Sequence, residues 1–195
     1  MKTRLRIGLL CTAISLVGLL AEAEHDAEQD AAAVAAADRA LAIDPKRVNA
    51  WVQKGLSQFR IAELSGDAKD MKTARNTFVD LNHLENDHPL PLLFYYRSFA
   101  ALGKQPTPLA VQGLERAAAL APYDLGLRMN AAMQQVREGR FADARYNLAP
   151  IAYGPHTGGL GGRARAVLAR MDADPAWRGQ GPLPEVENVD EDDSE

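Results

Sequence analysis

Apolar positions are dense along most of this chain, yet Val, Ile and Thr do not fall into alternating runs. Alanine is abundant instead, a pattern that favours helices packed closely on small residues over strands. Proline and small residues punctuate the pattern at fixed offsets. Ala33, Ala40 and Pro45 are seven and five apart, and Ala110, Ala117 and Pro122 repeat that spacing. Ala144 and Ile151 are again seven apart, with Pro155 four further on, while Ala74 and Leu81 are followed by Pro89 about one turn late. Upstream of these lies a second spacing of four: Trp51 to Gly55, Phe94 to Ser98, and Arg128 to Ala132. Ser98 leads Ala110 by twelve and Ala132 leads Ala144 by twelve, but Gly55 leads Ala74 by nineteen. That hairpin is expected to carry an insertion around Ser65–Asp70.

The register between successive hairpins is 34, from Ser98 to Ala132 and from Ala110 to Ala144. Two antiparallel helices approach closely only where side chains are small, so Gly55, Ser98 and Ala132 are expected to face Ala74, Ala110 and Ala144. Large residues such as Trp51, Phe78, Phe94 and Leu114 are expected between hairpins. Pro45, Pro89 and Pro122 are expected to end the second helices, because proline interrupts a helix. A last helix over 162–173, with Val167, Leu168 and Met171 on one stripe, reads as a cap that closes the stack.

Ala40-Leu41-Ala42-Ile43-Asp44-Pro45, Trp51-x3-Gly55, Ala117-Ala118-Ala119-Leu120-Ala121-Pro122 and Gly139-Arg140-Phe141-Ala142-Asp143-Ala144 together resemble tetratricopeptide repeats, whose period is 34. The resemblance covers about four-fifths of the chain. It implies an all-α fold, a right-handed α-α superhelix of about four hairpins plus a C-terminal capping helix. The stretch from Asp87-His88-Pro89 through Tyr153-Gly154-Pro155-His156 is similar to the C-terminal part of exported bacterial proteins of this kind. Some of those carry a metallopeptidase-like domain ahead of the repeats, and that domain is not in this sequence.

Charge and the termini divide the chain into three. Residues 1–23 begin with Lys2, Arg4 and Arg6, continue through an uncharged run from Ile7 to Leu20, and end in Ala21-Glu22-Ala23. That is the form of a secretory signal, too short for a comfortable membrane span. The same stretch also fits the repeat, since Val17 and Ala21 lie 34 before Trp51 and Gly55. Export to a bacterial periplasm and retention in the cytoplasm follow from these two readings respectively. Cys11 is the lone cysteine, so no intramolecular disulfide can form. Residues 24–173 form the repeat domain, nearly neutral and without the basic patch that nucleic acid requires. Residues 174–195 are expected to be a disordered acidic tail, carrying Glu185, Glu187, Asp190, Glu191, Asp192, Asp193 and Glu195.

Catalytic chemistry is hard to build from this sequence. It has no His-Glu-x-x-His and no Gly-x-Ser-x-Gly. His83, Glu85, Asp87 and His88 cluster, but read better as a polar helix end than as metal ligands. Gly154–Gly162 is glycine-rich without the Gly-Lys-Ser/Thr of a phosphate loop. The expectation is a non-enzymatic scaffold, with no cofactor and no metal, that binds a protein or peptide in a groove lined by the first helix of each hairpin. Helical projection assigns Asn49, Gln53, Arg60, Tyr95, Tyr96, Met129, Asn130, Met133 and Arg137 to that face. Aromatic, methionine and arginine side chains are what recognition surfaces favour. Of the clamp that chaperone-binding tetratricopeptide domains use, only Asn130 and Arg137 have counterparts, so a chaperone's terminal carboxylate is not the expected ligand. Two other readings stand beside this one: an accessory part of a larger enzyme, and a self-associating spacer.

Overall fold

The computed structural model describes residues 26, 28–155 and 157–185. The N-terminal signal or first repeat helix, and the acidic run from residue 186, lie outside the described residues. Within them the fold is all-α, with eight helices and no strand. Helix α1 runs through residues 28–43. It is followed by α2 (Val48–Ser65), α3 (Ala68–Leu84), α4 (Pro89–Ala101), α5 (Pro108–Leu120), α6 (Leu125–Arg137), α7 (Phe141–Ala152) and α8 (Gly158–Ala173).

The helix ends follow from local chemistry. Asp67, Thr107 and Asp124 each accept a bond from a backbone N–H in the first turn of α3, α5 and α6. Gly66 ends α2 at φ 66°, the left-handed conformation that glycine adopts without a Cβ penalty, and returns its N–H to the Ala62 carbonyl. Pro45 and Pro122 lie in the turns after α1 and α5, as expected. Pro89 does not end α3, which stops at Leu84; it opens α4, where a missing N–H costs nothing.

The extra residues in the second hairpin do not form a loop. α2 and α3 are 18 and 17 residues long, against 13 and 12 for α6 and α7, and only Gly66 and Asp67 separate them. The insertion is absorbed as added helix on both sides of a two-residue turn, because its residues supply a C-cap glycine and an N-cap aspartate back to back.

Two compact units emerge: residues up to Asn86 together with 97–105, and residues 87–96 together with 106 onward. In the first, Phe59, Ala62, Met71, Ala74, Phe78 and Leu81 are buried. The Phe78 ring is fully buried, edge-on to Phe59 of α2 at 6.5 Å between centroids, and so close to Gly55 that a Cβ there would fall 2.7 Å from it. In the second unit, Ala132, Val136, Ala144, Leu148, Ile151, Ala164, Val167 and Met171 join α6, α7 and α8 into one core. All six small residues singled out by spacing are buried: Gly55, Ser98 and Ala132, and Ala74, Ala110 and Ala144.

Two turns share a further tie. The Trp51 indole N–H donates to the Pro45 carbonyl at 2.8 Å. Six residues also separate Arg128 from Pro122, whose carbonyl accepts from the Arg128 Nε.

Candidate functional site

The face expected to bind a partner divides between the two units. In the first, Asn49 and Gln53 are exposed on α2. Arg60 is engaged within the protein: its guanidinium holds the buried Asp30 carboxylate through Nε at 2.9 Å, with a second bond from its terminal nitrogen, and reaches Ser57 Oγ at 3.0 Å. The Arg60 bond is the main reason the Asp30 carboxyl sits below its ordinary range, with burial opposing it. Arg60 therefore serves first as a counter-ion between α1 and α2. Sequence spacing alone does not show this, because Asp30 lies thirty positions earlier.

The second unit brings more of the predicted residues together. Tyr96 and Met129 are buried, at 8% and 6% exposure, so they support the face from beneath rather than presenting it. The Tyr96 hydroxyl donates to Gln134 Oε1 at 2.7 Å and accepts from Arg137 at 3.4 Å. Gln134 in turn donates to Glu138 at 2.8 Å. Burial raises the Tyr96 phenol above its ordinary value, and the neighbouring Arg137 cation pulls the other way. The phenol therefore stays neutral and keeps its proton for Gln134. This ladder fixes the relation between α4 and α6 and orients Arg137, which remains exposed. Asn130 is exposed and donates to the Gly126 carbonyl of its own helix at 2.9 Å. Met133 and Tyr95 are half-buried. Asn130, Met133 and Arg137 recur at helical spacing and share one face of α6.

That face is not bare. The chain after α8 turns back onto it, contrary to the expectation that disorder begins at residue 174. Trp177 is 5% exposed and belongs to the core of the second unit, with Leu183 half-buried against it. Gly179, at φ 88°, is close enough to α6 that a Cβ there would lie 3.6 Å from both Met133 Cε and Arg137 Cγ. Glycine and proline keep this segment out of helix, which does not prevent it from packing. The signal that could have marked it is Trp177 itself, a large apolar side chain set in a polar stretch.

A second feature escaped the sequence reading. α5, α6 and α7 line an open cleft of about 480 Å³. Its wall carries Arg140, paired with Glu115, with Glu138 at 2.9 Å and with Asp143 at 3.2 Å. Glu115 is the chief cause of the Arg140 guanidinium being held still more firmly protonated, with burial opposing it. Gln135 bridges Glu115 and Asn147 at 3.1 and 3.0 Å. These charges compensate one another, which suits stitching three helices together better than capturing a charged ligand.

His88 uses Nδ1 to accept the Leu90 N–H at 3.2 Å, a helix-end role. Among the described residues no group of three or more His, Cys, Asp or Glu side chains is placed to hold a metal ion. Among the same residues no helix is long and apolar enough to cross a membrane. No protein-family model matches the chain, and neither does any curated protein or solved structure.

Proposed function

We propose that this protein is a non-enzymatic interaction scaffold whose helical hairpins are of the tetratricopeptide kind, arranged as a right-handed superhelix. Its binding element is the α6 face of Asn130, Met133 and Arg137. The observation that carries this reading is the ladder Arg137–Tyr96–Gln134–Glu138, which holds a solvent-facing guanidinium in place beside a methionine. A pre-oriented arginine next to adaptable apolar surface loses little freedom on binding. It suits a protein segment that offers a carboxylate or backbone carbonyl together with an apolar side chain.

Affinity capture from the native host tests the proposal, with the full chain beside an Asn130→Ala/Arg137→Glu variant and quantitative mass spectrometry of the recovered proteins. Both side chains are exposed, so the variant is expected to keep its helical content. At least one protein should fall roughly tenfold or more in recovery, about 1.4 kcal/mol or more of binding. Equal recovery of every protein by the two baits would overturn the reading.

A further inference from the structure

Residues Trp177–Leu183 cover part of the face just described, and the way they are held has a consequence. We propose that this strap is a built-in occupant of the α6 face, which an incoming partner segment must displace and whose chemistry that segment reproduces. The proposal rests on the functional reading above and names the regulation and the ligand class of the same site.

Three observations carry it. The first is position. The Gly179 backbone lies against Met133, Val136 and Arg137. Two of these are residues assigned to partner binding, so partner and strap compete for one surface. The second is the kind of adhesion. The bonds of Trp177 and Arg178 close within the strap and its root: Trp177 Nε1 donates to the Gln180 carbonyl, the Trp177 N–H to the Asp174 carbonyl at 3.0 Å, and Arg178 to the Pro175 and Trp177 carbonyls at 3.1 and 2.8 Å. Against the helices the strap places the Trp177 ring and the Leu183 side chain in the core shared by α6, α7 and α8, the Arg178 guanidinium over the Phe141 ring at 5.3 Å, and the Gly179 backbone on α6. A segment that satisfies its own polar groups can leave without orphaning donors or acceptors on the helix. The third is shape. Gly179 and Gly181 both have left-handed φ, 88° and 81°, a conformation that other residues resist, and at Gly179 it lays the strap on α6.

The displacing segment is defined by what the strap vacates. It is extended, inserts one large apolar side chain where Trp177 sits among α6, α7 and α8, and has glycine two residues later so that its backbone can pass over Met133 and Arg137. A strap that served only as a structural cap would open only when the helices themselves unfold. A resident occupant opens by itself.

The test uses the full chain and a labelled synthetic peptide with the sequence of residues 174–185. Hydrogen exchange of the free protein comes first. The amides of residues 177–181 should exchange at least tenfold faster than those of Val136, Leu148 and Val167. Peptide binding by fluorescence anisotropy follows, with wild type beside Gly179→Val, whose branched side chain is strained at φ 88°. The variant should bind the peptide at least tenfold more tightly than wild type, and a peptide with Ala at the Trp177 position should bind neither. Circular dichroism checks that Gly179→Val is folded; should it not be, Gly181→Val serves the same purpose further from the α6 contacts. Strap amides that exchange together with the core, or a peptide that fails to favour the strap variant, would overturn the proposal. These outcomes are separable from the capture experiment. Loss of a partner in Asn130→Ala/Arg137→Glu with no strap opening leaves the binding face standing and removes only the resident occupant.

Discussion

The α2–α3 and α6–α7 hairpins solve one problem, how to bring two antiparallel helices together, in different ways. In α2–α3 a glycine on one helix receives a phenylalanine from the other, and Gly55 and Phe78 fit only as a pair. In α6–α7 the close positions are Ala132 and Ala144, both fully buried, and larger residues fill the space around them: Leu148, Ile151, and Trp177 from outside the hairpin. The α2–α3 hairpin makes its tightest contact between one glycine and one ring, with Phe59, Ala62, Met71 and Leu81 buried in the same unit. The second spreads its packing over three helices and a strap. A concentrated contact makes one residue decisive, whereas a distributed one tolerates single changes but depends on distant parts of the chain.

The sharpest way to break this comparison is Phe78→Ala, which empties the fully enclosed ring position. A loss of roughly 3–5 kcal/mol is expected by chemical denaturation. Amide protection should fall in α2 and α3 more than in α6 to α8. Gly55→Ala comes next. Ordinarily a helical Gly→Ala change stabilises by about 1 kcal/mol. Here the new Cβ meets the Phe78 ring at 2.7 Å, and overpacking should reverse the sign, for a net loss of about 1–2 kcal/mol. The matching change Ala132→Gly should lose the propensity difference of about 1 kcal/mol together with one buried methyl of about 0.8 kcal/mol, and a drop well beyond about 2 kcal/mol would show that α6–α7 is as concentrated as α2–α3. Trp51→Phe removes the donor to Pro45 while keeping the ring, and is expected to cost about 0.5–1 kcal/mol in thermal unfolding. The smallest effect is on pH dependence. The Asp30 carboxyl titrates below its ordinary value in the folded chain, so the Arg60 pair contributes in full above the unfolded pKa and is lost as pH falls through the folded one. Asp30→Asn should therefore flatten the acid limb of the stability profile, leaving the neutral and alkaline limbs parallel to wild type.

The two hairpins also differ in how much of them was legible in sequence. Spacing picked out Gly55, Ala74, Ala132 and Ala144, because close approach admits only small side chains and the helical period sets where they recur. Proline marked the turns after α1 and α5 for a similarly local reason, whereas Pro89 marked the start of a helix rather than the end of one. The inserted stretch at Ser65–Asp70 was legible as extra length but not as extra helix, since Ser, Gly and Asp serve equally in a loop and in adjoining caps. Projection around a helix axis identified the face carrying Met133 and Arg137 but not its depth. It therefore placed Tyr96 and Met129 on a surface when packing from α4 and the later helices buries them. Arg60 was assigned to a partner because Asp30, its actual one, belongs to another helix. The strap was missed because glycine and proline report only that a segment is not helical, and what it packs against depends on helices brought together by the fold.

The ties from Trp51 to Pro45 and from Arg128 to Pro122 have a consequence for how such turns diverge. In each, a side-chain N–H reaches the proline carbonyl six residues back, and the turn is secured whether the donor is an indole or a guanidinium. By residue similarity, tryptophan and arginine are among the least exchangeable pairs. By hydrogen-bonding role they are synonyms. Selection acting on the turn would preserve a donor of sufficient reach and leave the identity of the residue free to drift. Turns of this kind can keep their geometry after the residues that secure them have ceased to agree.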